Sequence, residues 1–216
     1  MSNDSTPTPG GWDETLADHK TRQAERIGKV ALELAAEHGI ANVSMRQLAS
    51  AVGIARQTLY NYVPDVASAI AGYLATRAEA FEAHLDAALN NATDPAARLR
   101  CYVNEVLDYL ASDEHRIGAA QLLAAGATGA HAESLANAQQ RLHTTLLGIL
   151  TDGIHDKNFR SDLDPEFVAS LIEYLVAGAG SALRRQTTDP DSAAGTVIAL
   201  IDGGLIASTQ HADQDD

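Results

Sequence analysis

A twenty-residue run from Val43 to Tyr62, VSMRQLASAVGIARQTLYNY, constrains this chain more than any other feature. Ser44 is a good helix N-cap, and Gln47 three residues later completes a capping box. Met45, Leu48, Ala49 and Val52 then supply one apolar face at helical spacing. Gly53 breaks the pattern where a tight turn needs a positive φ. A second short helix is expected from Ala55 to Tyr62, and the small Ala49 lets the two helices cross closely. Leu48, Val52, Ile54 and Leu59 form their shared core with a preceding helix. If Leu59 points inward, Gln57 and Asn61 lie about 160° away on either side, at about 100° per residue. Thr58 and Tyr60 flank them, and Arg56 opens the helix. The outward face contains no acidic residue. Such a face suits a DNA major groove, where Arg reads guanine, Gln and Asn read adenine, and Tyr or Thr holds phosphate.

The total net charge, −14 for 216 residues, points the other way. Its distribution does not. Residues 1–18 carry four acids and no Lys or Arg, whereas residues 19–62 carry six bases against three acids. The remaining residues, 63–216, hold nine bases and 22 acids. A single positive segment on an acidic body implies that this segment alone approaches phosphate.

The rest of the chain reads as helices. Alanine, leucine and short apolar runs dominate, aromatics are only 5%, and the alternation that strands need is missing. Residues 1–18 lack periodicity and read as a flexible acidic tail in which Trp12 either docks on a surface or stays solvated. From Thr21, Ala24, Ile27, Val30, Ala31, Leu34 and Ala35 recur at three- and four-residue spacing until Gly39 stops the helix. Pro64-Asp65 starts a long helix that reaches about Asn90. Asp94-Pro95, Asp164-Pro165 and Asp189-Pro190 each place a cap acceptor before a residue pre-set for a first turn. The first two open helices to about Ala111 and Arg185, and the third precedes a last helix over about Ser192 to Ser208. Ser112-Asp113-Glu114 opens another to about Ala125, and an amphipathic stretch runs from Ala132 to about Ile154. The expectation is an all-α protein of about nine helices: a three-helix amino-terminal domain over 21–81 and a larger helical domain over 82–216.

Order and spacing in the motif, residues 44–63, resemble the TetR family of bacterial transcriptional regulators. The matching residues are Gly39, Ser44, Leu48-Ala49, Gly53-Ile54 and Leu59-Tyr60-Asn61-Tyr62. The resemblance implies phosphate contacts from Ser44 and Tyr60, a base contact from Arg46 beside Met45, and reading positions at Arg56, Gln57, Thr58, Asn61 and Tyr62. Lys20 and Arg22 would meet the DNA backbone or an adjacent minor groove. Three positions depart from the pattern: Val63 replaces the usual Phe, Ala55 a polar N-cap, and Val66 a phosphate-binding Lys. Few basic contacts imply a modest salt dependence per monomer.

Function follows from the same resemblance: a repressor that binds a palindromic double-stranded DNA operator as a homodimer and is released by a hydrophobic small-molecule inducer. The last two helices would form the dimer bundle, with Ala177, Gly178, Gly180, Ser181, Gly203 and Gly204 allowing close approach. Pocket candidates are Phe81, Leu85, Tyr102, Tyr109, Leu122, Leu123, His143, Leu146, Leu147 and Tyr174, an apolar set with a few polar handles. Two other classes were weighed. An enzyme would need a phosphate loop, a nucleophile elbow or a Cys-x-x-Cys, and none occurs. A helical scaffold or ligand-binding protein without operator recognition leaves the acid-free stretch Arg46–Tyr62 unexplained. No cofactor or metal is expected, because His131, His143 and His155 advance by about 120° on a helix and share no face. Cys101 lies in an apolar helical stretch and reads as a small buried hydrophobe. No window of about 18 uncharged apolar residues reads as a membrane span, the longest candidate being Tyr174–Leu183, so a cytoplasmic protein is expected.

Overall fold

Cap chemistry sets most of the helix boundaries. In the computed structural model, residues 10–126 and 130–206 are described, with side chains from 19 to 126 and from 136 to 206. They form α1 Gly10–His38, a 3-10 turn Ile40–Asn42, α2 Met45–Val52, α3 Arg56–Tyr60, α4 Val66–Asn90, α5 Pro95–Ala111, α6 Asp113–Ala124, α7 Ala130–His155, α8 Pro165–Arg184 and α9 Pro190–Leu205. Nine α-helices and no strand appear among the described residues, so the all-α expectation holds. Asp94, Asp164 and Asp189 each accept hydrogen bonds from first-turn amides, with proline at the helix start.

One boundary differs markedly from expectation. α1 begins at Gly10 rather than Thr21, so residues 10–18, read as flexible tail, are helical. Their sequence lacks an apolar period, which is why pattern alone missed the turns. Residues 1–9 and the side chain of Trp12 lie outside the described residues, as do 207–208 at the expected end of the last helix. α8 contains the apolar run 174–183 that the sequence singled out. By length and composition α8 could cross a bilayer, with a mean hydropathy of 1.3 over 18 residues. Here its Ala169, Ile172, Val176 and Leu183 belong to a helical core with α5 and α9.

The chain divides into two compact units. The first comprises Met1–Thr76 and Ile117–His131, the second Arg77–Arg116 and Ala132–Asp216. The division thus falls a few residues before Phe81, and α6 returns its carboxy-terminal half to the first unit. In that unit Ile27, Ala31, Ala35, Leu48, Val52, Leu59 and Ile70 are fully or almost fully buried. Ile117 and Leu122 pack against this core, and Gln121 Oε1 accepts the Ile40 amide at 3.0 Å. Gly28 is the tightest point. A Cβ there would lie 2.5 Å from Tyr73 Cβ and 2.6 Å from the Ala69 carbonyl oxygen.

In the second unit Leu85, Leu99, Val103, Leu107, Leu146, Ile149 and Leu150 make the centre of the core. Phe159, after α7, is 2% exposed, and its ring lies directly against Gly153. The Phe159 amide donates to the Gly153 carbonyl at 2.9 Å, and the Arg160 amide to the Leu205 carbonyl at 3.0 Å. Cys101 is only half-buried beside this core, and burial together with Glu105 raises its thiol pKa.

Candidate nucleic-acid interface

α2 and α3 owe their geometry to local rules. The Ser44 hydroxyl accepts the Gln47 amide at 3.3 Å, while Gln47 Oε1 accepts the Ser44 amide at 2.9 Å and hydroxyl at 2.6 Å. The capping box is therefore complete, and the Ser44 hydroxyl is engaged in it. Gly53 sits in the left-handed region at φ 77°, ψ 34°, and its amide closes α2 onto Ala49 and Ser50. Arg26 Nη2, from α1, donates to the Val52 carbonyl at 2.8 Å. One of the first unit's basic residues is thereby spent on fixing the end of α2 rather than on solvent.

α3 is a single short helix. Ala55 is its N-cap and offers no side-chain bond, as its methyl requires. Only Leu59 is buried, so the helix is held by that anchor and by its neighbours. Arg56, Gln57, Thr58, Tyr60 and Asn61 are all exposed, and so are Arg46 and Gln47 on α2. Arg56 and Tyr60 are paired: Arg56 Nη2 donates to the Tyr60 hydroxyl at 3.0 Å, and the guanidinium carbon stands 5.5 Å from the ring centroid. Lys20 and Arg22 are exposed on α1. Two expected reading residues are placed differently. Tyr62 and Met45 are half-buried and lean on the first unit's core.

Three contributors had gone unseen in the sequence: Arg26, Gln121 and Gly28. Only Gly28 carried a signal. A glycine inside an amphipathic helix costs about 1 kcal/mol relative to alanine, which calls for a packing reason. The other two act through contacts remote in sequence.

The ten pocket candidates are distributed over both units. Leu85, Tyr102 and Leu146 are core residues of the second unit. The Tyr102 hydroxyl donates to the Leu142 carbonyl at 3.3 Å, and burial drives its pKa far up. Phe81 stacks on Tyr109 at 4.3 Å, and Leu147 is half-buried. His143 bridges two carboxylates of α8, Nδ1 to Glu173 at 2.9 Å and Nε2 to Glu166 at 3.2 Å. These bonds raise the imidazole pKa, Glu173 contributing most. Leu122 and Leu123 belong to the first unit, where Leu123 is 84% exposed, and Tyr174 is 78% exposed on α8. Two of the second unit's open clefts lie beside α4. One, of about 300 Å³, is lined by Glu82, Leu85, Asp86, Gln140, Arg141, Leu142, Thr144 and Thr145. The other, of about 260 Å³, is lined by Arg77, Ala80, Phe81, His84, Glu105, Asp108 and Tyr109.

The small residues of α8 and α9 divide in two. Ala177, Gly178, Gly203 and Gly204 are exposed, and an added Cβ at any of the three glycines would meet nothing within 4 Å. Gly180 is buried inside the protomer, where its Cβ would stand 3.0 Å from Leu110. Ser181 is half-buried and accepts Arg185 Nη1 at 2.8 Å. Beside the exposed glycines, Phe167, Leu171, Tyr174 and Leu175 on α8 and Leu200 on α9 are also exposed.

A short acid-free helix, joined by a tight turn to α2 in a three-helix unit, is a helix-turn-helix arrangement. Residues 27–65 match the family of bacterial regulatory proteins named tetR, so the chain carries a TetR-family DNA-binding domain. Solved structures share the fold over most of the chain. A transcriptional regulator from Saccharomonospora viridis in complex with choline superposes with a TM-score of 0.73 at 19% identity, covering 85% of this chain and 97% of its own. A TetR transcription regulator from Haloarcula marismortui gives 0.73 at 20% identity, with 85% and 98% covered. FadR from Bacillus subtilis, in complex with stearoyl-CoA, gives 0.70 at 19% identity, with 83% and 97% covered. No curated protein matches the chain in sequence.

Proposed function

We propose that the chain is a cytoplasmic, dimeric repressor that binds a palindromic operator and leaves it when a small molecule occupies the second unit. The observation that carries the DNA reading is the surface of α2 and α3. From Ser44 to Tyr62 the only charged residues are Arg46 and Arg56, and both are exposed beside Gln57, Thr58, Tyr60 and Asn61. A solvated helix face with no function would carry acids here as the rest of the chain does. A reader this small makes too few contacts alone, so a two-fold operator and a dimer supply the specificity. Repression is what the family resemblance implies.

Two further observations support the remaining parts. Phe167, Leu171, Tyr174, Leu175 and Gly178 form one stripe on α8, with Leu200 and Gly203 exposed on α9. An apolar stripe of that length on a soluble chain marks an interface, and the two helices of a second copy would complete a four-helix bundle. That two regulators of similar fold are in complex with choline and with stearoyl-CoA supports a small-molecule effector. A ligand that binds better to the DNA-free arrangement would shift the population away from operator.

Quantitative mobility-shift titration on a duplex selected from a random library tests the DNA reading. Arg46→Ala and Arg56→Ala are each expected to weaken specific binding by roughly 5- to 150-fold per half-site, without loss of helical circular dichroism. Undiminished, sequence-specific binding in both variants would overturn it. For the interface, Leu171→Asp is expected to move the sedimenting species from two chain masses to one, with the helical content kept. A variant that still sediments as the wild-type dimer would exclude the α8 stripe.

A further inference from the structure

The pairing of Arg56 with Tyr60 gives the tyrosine a second role. Arginine is a long, mobile side chain, and fixing it on DNA costs rotamer entropy. On α3 very little else is available to order it. Arg56 is the first helical residue, its preceding cap is Ala55 without a polar side chain, and no carboxylate occurs between Ser44 and Tyr62. Tyr60, one turn on, supplies both a hydrogen-bond acceptor at 3.0 Å and a ring face 5.5 Å from the guanidinium carbon. Residues at i and i+4 meet naturally on a helix surface, and a cation over a ring adds attraction. The bond uses one of the guanidinium's five donors and leaves enough for a bidentate contact with a guanine edge. It also leaves the tyrosine's own O–H proton free for phosphate.

We propose that Tyr60 is a positioning residue: it holds the Arg56 guanidinium at a fixed place on the reading surface and so sets discrimination at the base pair that Arg56 meets. This rests on the reading of α3 as the base-contacting helix. A phosphate contact alone would strengthen binding to every sequence equally. A positioning residue strengthens it selectively, at one base pair, and only while Arg56 is there.

The test is quantitative selection from a randomised duplex library with the full-length protein. Wild type, Arg56→Ala, Tyr60→Phe, Tyr60→Ala and the double variant Arg56→Ala/Tyr60→Phe are compared. Arg56→Ala is expected to flatten the preference at one base pair per half-site. Tyr60→Phe keeps the ring and loses the acceptor, and should lower discrimination at that same base pair about three- to ten-fold. Tyr60→Ala should lower it further. In the Arg56→Ala background, Tyr60→Phe should change no base preference at all. Tyr60 is exposed, so these variants are expected to retain wild-type thermal unfolding, which is measured alongside. If Tyr60→Phe weakens all sequences equally and leaves discrimination at the Arg56 base pair intact, the positioning role is wrong and the hydroxyl is a phosphate contact only. If wild type selects no motif, the failure is that of the DNA reading itself, which separates the two.

Discussion

Replacing Gly28 by alanine is expected to destabilise the first unit by about 3 kcal/mol, at the upper end of overpacking costs. On an exposed helix the same change would stabilise by about 1 kcal/mol through helix propensity. Here the new methyl meets Tyr73 Cβ at 2.5 Å and the Ala69 carbonyl oxygen at 2.6 Å, so α1 and the start of α4 must move apart. Neither obstacle is the end of a flexible side chain. That makes a sharp control possible: Tyr73→Ala keeps its Cβ and should not rescue Gly28→Ala. A denaturant titration followed by far-ultraviolet circular dichroism reads the midpoint shift. If Gly28→Ala were neutral or stabilising, or if Tyr73→Ala restored it, the backbone approach of the two helices would be wrong.

Phe159→Ala is expected to cost about 3–5 kcal/mol in the second unit, the usual range for emptying a buried aromatic site. The ring is 2% exposed and lies against Gly153 with the surrounding core of α5, α7, α8 and α9. The partner glycine makes the prediction more demanding. Gly153→Ala in the wild-type protein drives a methyl into the ring's Cδ2 and Cε2 edge, and should cost about 1–3 kcal/mol. In the Phe159→Ala background that obstacle is gone, and the same substitution should be harmless or gain about 1 kcal/mol from helix propensity. The two effects must therefore be strongly non-additive. Additive effects in a double-mutant cycle of unfolding free energies would refute the contact.

What could be read in the sequence was chiefly what depends on near neighbours. The capping box of Ser44 and Gln47, the turn at Gly53 and the Asp-Pro starts of α5, α8 and α9 are decided within a few residues, and each stands where the pattern put it. The outward set on α2 and α3 was legible for the same reason, since helical periodicity fixes which side chains oppose Leu59. Periodicity fails when it must say what an apolar face meets. Tyr174 and Leu85 both sit at apolar positions, yet one faces outward and the other lies in the core. Gly178 and Gly180 are two residues apart, and only Gly178 is open. Contacts that span long separations left no mark at all, as Arg26 with Val52 and Gln121 with Ile40 show.

The return of α6 to the first unit has a consequence during synthesis. Chain growth at about 5–20 residues per second separates Thr76 from Ile117 by roughly 2–8 s. Throughout that interval the nascent amino-terminal helices lack the cover of Ile117 and Leu122 and the acceptor of Gln121. The first unit is thus finished only after residues 77–116 of the second unit have been made. A chain that stops before α6 carries all of α1 to α3 but not the segment that completes their core.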